Sequence, residues 1–442
     1  MNIKLSDHFG YKKLLRFTLP SIMMMVFTSI YGVVDGYFVS NYVGKTAFAA
    51  VNFIMPLLMI FGAVGFMFGT GGSALVSKTL GEGDNQKAKR LFSMIVYVSA
   101  GVGIAVAVVA IIFVKPLALL LGADEKMLET CVQYGSIVLC ALPALMLQYE
   151  FQSFFVTAQK PQLGLYVTLA AGITNMVLDA LLVAIIPMGV AGAAIATAIS
   201  QYVGGIVPLI YFAKKNTSLL RLTKANIDFG ALLKTITNGS SEFLSNISMS
   251  VVGMLYNLQL MRYAGENGVA AYGTLMYVNM IFLAAFIGYS VGTAPVIGFC
   301  FGAENHKELK NLLKKSLIIT AVFSVLMLIL AQVLAKLLAK MFVGYDKELF
   351  DMTLHAFFIF SFSFLFAGIP IFASSFFTAL NNGFVSAAIS FLRTAVFQVA
   401  AVIIMPLFFK LDGIWVSISA AEIVAAVVSV IFWAVNKKKY HY

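Results

Sequence analysis

Charge is scarce in this chain: Asp, Glu, Lys and Arg make up 11% of its 442 residues, while hydrophobic residues make up 61%. That balance excludes an ordinary soluble globular protein and reads as an integral membrane protein. Cysteine is nearly absent. Cys131, Cys140 and Cys300 are odd in number and fall inside apolar stretches, so neither a disulfide framework nor a metal cluster is indicated. The phosphate-binding pattern G-x-x-x-x-G-K-[ST] is missing, as is any long polar stretch able to form a soluble domain. Energy is therefore expected from an ion gradient, with no cofactor beyond Na⁺ or H⁺. Lys and Arg exceed Asp and Glu, 30 against 19. They are divided among short connectors and form no single patch, which argues against a nucleic-acid partner.

Apolar runs of about 18 residues or more recur too often for buried core helices and lack the two-residue alternation of barrel strands. The chain is read as all-α, with twelve transmembrane helices over 15–42, 48–79, 91–114, 129–157, 163–186, 190–213, 235–262, 270–301, 313–341, 351–378, 384–408 and 412–435. The second six repeat the first. At an offset of 221 residues, Ser73 through Gly81 to Lys89 lies over Ala294 through Gly302 to Lys310; each copy is an apolar helix end, a glycine stop and a charged connector. Gly192 and Gly413 share that offset, and Phe154-Phe155 sits over Phe376-Phe377 at 222. Six is even, so both halves enter the membrane from the same side. The repeat is then parallel, about an axis along the membrane normal, which points to a transporter. The expected units are an N-terminal lobe over 1–213, a cytoplasmic linker over 214–234 and a C-terminal lobe over 235–442.

With both termini cytoplasmic, the inner connectors carry twenty Lys and Arg, including Lys12, Lys13, Arg16, Lys87, Lys89, Arg90 and Lys437 to Lys439. The outer connectors carry eight: Lys45, Lys115, Lys126, Arg262, Lys336, Lys340, Lys347 and Lys410. This excess fixes the expected orientation; the location expected is the inner membrane of a prokaryote. The first apolar segment is too long for a signal peptide and no small-residue cleavage site follows it, so it reads as a retained helix. The linker, with Lys214-Lys215 and Arg221 to Asp228, suits either a short amphipathic helix on the membrane surface or a flexible tether. Gly62, Gly65, Gly69, Gly71 and Gly72 crowd the second helix, and Pro20, Pro56, Pro143, Pro208, Pro295, Pro370 and Pro406 lie within spans. Such residues permit close helix approach or kinks.

Ionisable groups at mid-membrane are costly enough to be functional candidates by default. Seven qualify: Asp35, Glu150, Asp179, Glu242, His355, Arg393 and Glu422. Asp35 and Asp179 lie about eight residues before the outer ends of helices 1 and 5, and Thr197 about eight after the outer start of helix 6. At about 1.5 Å per residue, all three sit about 12 Å below the outer surface. Asn175 is one turn from Asp179 on the same face. Two carboxylates, an amide and a hydroxyl are hard oxygen ligands that suit a small alkali cation. The same pair could hold a proton, or each acid could brace helix packing through local hydrogen bonds.

The offset places Tyr256 opposite Asp35 and Ala400 opposite Asp179, so the acid pair is not duplicated. In the second half, Arg393 needs a buried anion, and Glu422 at similar depth is the expected structural partner. Glu242, within Gly239-Ser-Ser-Glu, is a candidate for contacting a cationic substrate or a second proton. Glu150, near the inner end of helix 4, is a candidate for packing or gating and, with Glu242, for the substrate or second proton site, and His355 is expected at the outer interface. With 39 Phe and 21 Met, some side chains could line a cavity where aromatic faces attract organic cations and flexible Met adapts to varied shapes. Composition does not choose which.

Leu19-Pro20, Val34-Asp35-Gly-Tyr-Phe-Val39 with Val43-Gly44, Ser77-Lys-Thr-Leu-Gly81, Thr174-Asn175-Met-Val-Leu-Asp179, Gly189 to Thr197 and Pro295 to Ala303 follow one another across this doubled unit. In that order the chain resembles the multidrug and toxic compound extrusion (MATE) family, in its DinF-like or MepA-like bacterial range, over nearly its whole length. The resemblance implies a V-shaped pair of six-helix lobes that exports cationic or amphiphilic organic compounds in exchange for Na⁺ or H⁺. It also implies a coupling-ion site at Asp35, Asn175, Asp179 and Thr197, with the Ala193 carbonyl as a further ligand. The NorM-like branch has an acid in helix 10; here that helix has only Asp351, at its outer edge, which argues against an ion site in the second lobe. A monomer in contact with membrane lipids is expected. The alternative reading is a flippase or exporter of a lipid-linked precursor or a specific metabolite; such a polyanion calls for more cavity cations than this chain has within its spans.

Overall fold

The structure, a computed structural model, describes residues 3–121 and 125–442, with side chains described at all of these but 40, 45–49, 52–53, 120–121 and 125–126. The Lys45 and Lys126 charges counted above therefore lie outside the described side chains. Among the described residues every element is helical. The first half contains α1 (Tyr11–Phe38), α2 (Lys45–Gly81), α3 (Asn85–Ile112), α4 (Val114–Leu121), α5 (Glu125–Cys140), α6 (Leu142–Thr157), α7 (Pro161–Asp179) and α8 (Gly189–Ala213). The second contains α9 (Phe229–Gly302), α10 (His306–Val343), α11 (Lys347–Phe360), α12 (Phe364–Ala379), α13 (Gly383–Phe391) and α14 (Gln398–Tyr440).

Two of these are helical hairpins. α9 breaks at Gly265 (φ 60°, ψ −150°) and α14 at Lys410 (φ 52°, ψ −128°). Tyr256 and Tyr272 flank Gly265 and stack with ring centroids 5.2 Å apart; a straight helix would hold them about 24 Å apart. Around Lys410, Arg393 and Glu422 meet at 2.8 Å. α5 and α6 form one span bent by 54°, and α11 runs into α12 through a short 3-10 turn. Counted this way, helices cross the apolar layer twelve times among the described residues, as the sequence predicts, and both chain ends emerge on one side.

The repeat is visible turn by turn. Positive-φ residues, which mark where a helix stops and the chain turns, pair between the halves. Gly44 and Gly265, Gly83 and Glu304, and Gly189 and Lys410 are each 221 apart, and Gln159 and Asn381 are 222 apart. The contact between halves obeys the same exchange. A Cβ on Gly81 would stand 2.1 Å from the Phe299 carbonyl oxygen, and one on Gly302 would stand 2.0 Å from that of Lys78. Adding 221 converts one contact into the other, which is the signature of a two-fold axis. Likewise Gly71 against Gly239 corresponds to Gly292 against Thr18, and Ser77 meets its own equivalent, Gly298.

All of these contacts lie toward the side that carries the termini. Farther from it, Gly32, Gly253 and Gly273 meet nothing within 4 Å. The two large apolar clusters there are each confined to one half, one within residues 39–194 and the other within 252–418. Clusters on the terminal side mix the halves: Leu5, Phe9, Leu14 and Phe17 pack with Tyr289 and Trp433, and Phe68 and Leu80 pack with Phe299. The lobes thus touch on the terminal side and diverge beyond it, giving the expected V.

Two connections differ from a simple linker picture. α9 begins at Phe229, inside the range predicted as linker, and 214–228 is neither an amphipathic helix nor a loose tether. It is a non-helical strap fixed along the first lobe. The Thr223 N–H donates to Ser93 Oγ at 2.8 Å, the Tyr97 hydroxyl donates to the Thr223 carbonyl at 3.2 Å and the Leu222 N–H donates to the Phe212 carbonyl at 2.9 Å. At the other end, residues before α1 are held by the second half. Glu308 accepts from the Phe9 N–H at 3.0 Å and pairs with His8 Nδ1 at 2.7 Å, while Lys315 Nζ donates to the Phe9 carbonyl at 2.7 Å.

Candidate functional site

Asp35 lies near the far end of α1, one turn before the helix widens into a π-helical turn over Val39–Val43. Asp179 closes α7 and is followed at once by a second π turn, Ala180–Ile185. A third, Leu392–Phe397, contains Arg393. Wide turns of this kind displace backbone carbonyls from the regular ladder and recur at functional positions. Every π turn among the described residues therefore adjoins an ionisable side chain at membrane depth.

The first lobe brings its predicted oxygens together. The Asp35 and Asp179 carboxyl groups approach closely enough to interact, and the Thr197 hydroxyl from α8 lies beside Asp35. Asn175, one turn before Asp179, is buried with it, and Ala193, one turn before Thr197, is fully buried. The sequence reading missed a fifth side chain. Tyr134 on α5 is 0% exposed, with its hydroxyl next to Thr197 and in electrostatic range of both acids. Asp35 Oδ1, both Asp179 oxygens, Asn175 Oδ1, Thr197 Oγ1 and Tyr134 Oη are buried, and none has a hydrogen-bond partner of acceptable geometry among the described residues. Each such group costs roughly 1–3 kcal/mol when left unpaired. Oxygens concentrated in this way are hard ligands that suit a small cation or protons.

The equivalent layer of the second lobe lacks the acid pair. Tyr256, opposite Asp35, is hydrogen-bonded through its hydroxyl to Ser417 Oγ at 2.8 Å, and Ala400 offers no donor or acceptor side chain. Charge appears instead at Arg393, whose Nε lies 3.0 and 2.9 Å from the two Glu422 carboxylate oxygens, with Nη2 at 2.8 Å from Oε1. Glu242, partly buried on the first arm of α9, is in electrostatic range of the same guanidinium. Two carboxylates thus share one cation. Glu242, whose carboxylate has no bonded partner among the described residues, is the one in excess.

The remaining candidates do not join either cluster. Glu150 is fully buried on α6, its Cα packed against Gly69 of α2 and the Ser99 hydroxyl of α3 beside it but outside hydrogen-bonding geometry. His355 forms an exposed pair with Asp412 at 2.9 Å at the far surface. No group of three or more His, Cys, Asp or Glu poised for a metal ion occurs among the described residues.

The MatE family model matches residues 20–181 and again 243–404, once in each lobe. Among curated proteins, the chain is 28% identical over 317 residues to the multidrug export protein MepA of Staphylococcus haemolyticus, covering 71% of this chain and 70% of that one. It is 25% identical over 424 residues to MepA of Staphylococcus aureus strain MSSA476, covering 95% and 93%. Among solved structures, the outward-facing conformation of a multidrug resistance MATE family transporter of the MOP superfamily superposes with a TM-score of 0.93 at 21% identity, covering 98% of this chain and 97% of that one.

Proposed function

The chain belongs to the MatE family, and from that premise we propose that it is an ion-coupled antiporter that exports cationic or amphiphilic organic compounds in exchange for Na⁺ or H⁺. The observation that carries the reading is the set of unpaired, buried oxygens at Asp35, Asn175, Asp179, Thr197 and Tyr134. In this reading the coupling ion binds there, with the Ala193 carbonyl as a further ligand, and neutralises two carboxylates held out of water. Glu242, the excess carboxylate of the second lobe, attracts the cationic end of the substrate across the cleft. The terminal side is cytoplasmic, in the inner membrane, so the conformation described is open to the outside. Ion entry from outside then favours the conformer that releases substrate, and a difference of a few kcal/mol in ion affinity between conformers suffices to drive the exchange. The protein works as a monomer.

A lipid-linked precursor fits less well. Its phosphates would meet an Arg393 already neutralised by Glu422, with Glu242 adding repulsion. Ethidium efflux from reconstituted vesicles, with Na⁺ and pH gradients imposed separately, tests the proposal. Efflux driven by one gradient in the wild type and lost in Asp35→Asn, at equal expression, is expected. Gradient-driven efflux that persists in Asp35→Asn refutes the coupling role.

A further inference from the structure

On the terminal side of the first lobe, a cleft of about 490 Å³ opens between the first turns of α3 and the strap that joins the lobes. It is lined by Lys87, Arg90, Leu91 and Met94 from α3 and by Lys224, Asn226 and Asp228 from the strap. Asp228 Oδ1 is occupied as the cap of α9, accepting from the Ala231 N–H at 3.0 Å. None of the three cations forms an ion pair within 4.0 Å among the described residues, although Asp84 and Asp228 lie three and four residues from Lys87 and Lys224. The cleft is therefore cationic, and the strap that forms its second wall is held rigidly by Ser93 and Tyr97.

The face of α3 that leads away from the cleft identifies the class of ligand. Arg90, Met94, Tyr97, Gly101, Ile104 and Val108 succeed one another at steps of four and three, which puts them on one side of the helix. Beyond the cleft this face is open: Tyr97, Ile104 and Val108 are exposed, and a Cβ on Gly101 would meet nothing within 4 Å. From Tyr97 to Val108 the stripe is about 16 Å long, the depth of one leaflet of a hydrocarbon core about 30 Å thick. Ile227 and Phe229, 60% and 77% exposed, flank the other wall. An apolar stripe that begins at a cationic cleft gives a phospholipid a place for both its headgroup and its chains. We propose that this cleft binds the headgroup phosphate of an anionic phospholipid from the leaflet on the terminal side. The acyl chains lie along the Tyr97–Val108 stripe, and the lipid clamps the interlobe strap to α3.

Native mass spectrometry of the full-length protein, released from membranes that contain phosphatidylglycerol and phosphatidylethanolamine, reads retained lipid directly. Lys87→Gln/Arg90→Gln/Lys224→Gln is expected to lower phosphatidylglycerol retention by well over tenfold, at about fivefold per cation removed. Lys437→Gln/Lys438→Gln/Lys439→Gln, which removes equal charge on the same side, retains the lipid. Gly101→Trp, which fills the track, lowers phosphatidylglycerol retention with the cleft cations intact. Equal loss in the two triple variants, or unchanged retention in the cleft variant, overturns the site. Displacement of the lipid by millimolar glycerol phosphate, with no effect of Gly101→Trp, overturns the lipid assignment in favour of a soluble anion.

Discussion

A single methyl group at Gly71 should drive the transporter out of the conformation described. An ideal Cβ there stands 2.0 Å from the Thr235 carbonyl oxygen and 2.6 Å from the Gly239 nitrogen. Both are backbone atoms of α9, so no side chain can swing aside. Restoring ordinary contact requires the lobes to part by about 1.5 Å at this point, because favourable heavy-atom separations are about 3.5–4.0 Å. Overpacking of this kind costs about 1–3 kcal/mol. If, as proposed, the seam closes only when the far side opens, that cost falls on one conformer and shifts the population by roughly 5- to 150-fold. Spin labels at Tyr42→Cys and Arg262→Cys, at the far ends of the two lobes and in a background without the native cysteines, report the shift. Gly71→Ala should shorten the distance between labels, with a fall in efflux. Gly101→Ala, also within a membrane helix but with no neighbour within 4 Å, should leave both unchanged. An unaltered distance distribution in Gly71→Ala, or an equal change in Gly101→Ala, refutes the claim that this seam holds the cleft open.

Other perturbations test the same geometry. Glu422→Gln removes the bonded carboxylate of a largely buried guanidinium, leaving only the unbonded Glu242 in range, and should cost up to about 3–5 kcal/mol, while Arg393→Met/Glu422→Leu recovers most of it; thermal unfolding in detergent of the single and double variants decides, and equal losses count against the pair. Glu308→Ala removes a carboxylate bonded to Phe9, His8 and Asn311 and should cost about 1.5–3 kcal/mol, the value of hydrogen bonds to a charged group; hydrogen exchange at residues 5–12 should rise well above that of the wild type, and unchanged protection argues against a clamp. Lys410 adopts a conformation that suits glycine, whereas its first-half equivalent is Gly189. Lys410→Gly should therefore stabilise the protein by about 1 kcal/mol, measured as a raised midpoint of thermal unfolding; a lowered midpoint would mean that the lysine side chain contributes more than the strain costs.

The parts of this molecule that could be read from its sequence are those a bilayer dictates. Helix ends need glycine stops and charged connectors, so the offset between Gly81 and Gly302 was enough to reveal the repeat, and the family model matches each half once. Helix rise alone put Asp35, Asp179 and Thr197 at one depth, and they are neighbours. Depth applied to hydroxyl-bearing aromatics would have found Tyr134 about five residues into its span; it was hidden because 18 tyrosines in an apolar chain give no compositional signal. The strap over 214–228 was illegible for a different reason. Its shape is set by single hydrogen bonds to Ser93 and Tyr97, side chains about 130 residues away that no local pattern announces.

The divergence of the halves follows from what each was left free to do. The seam residues obey the two-fold exchange almost contact for contact, because both lobes must close against each other with the same helices. The layer beyond the seam is under no such constraint, since the lobes there do not touch. One half has filled it with unpaired oxygens around Asp35 and Asp179, and the other with a satisfied Tyr256–Ser417 bond. An unsatisfied acidic cluster destabilises its own lobe unless something binds there, and the matched layer around Tyr256 and Ser417 holds no such acid pair. Introducing an acid at the matched position, Tyr256→Asp, should therefore break the bond to Ser417 and place a lone carboxylate against Tyr272 without Asp179 and Thr197 equivalents around it. The expected result is lower thermal stability with no second coupling ion, read as an unchanged ion-to-substrate ratio in vesicles. A doubled ratio would show that the asymmetry lies in this one side chain and not in the layer around it.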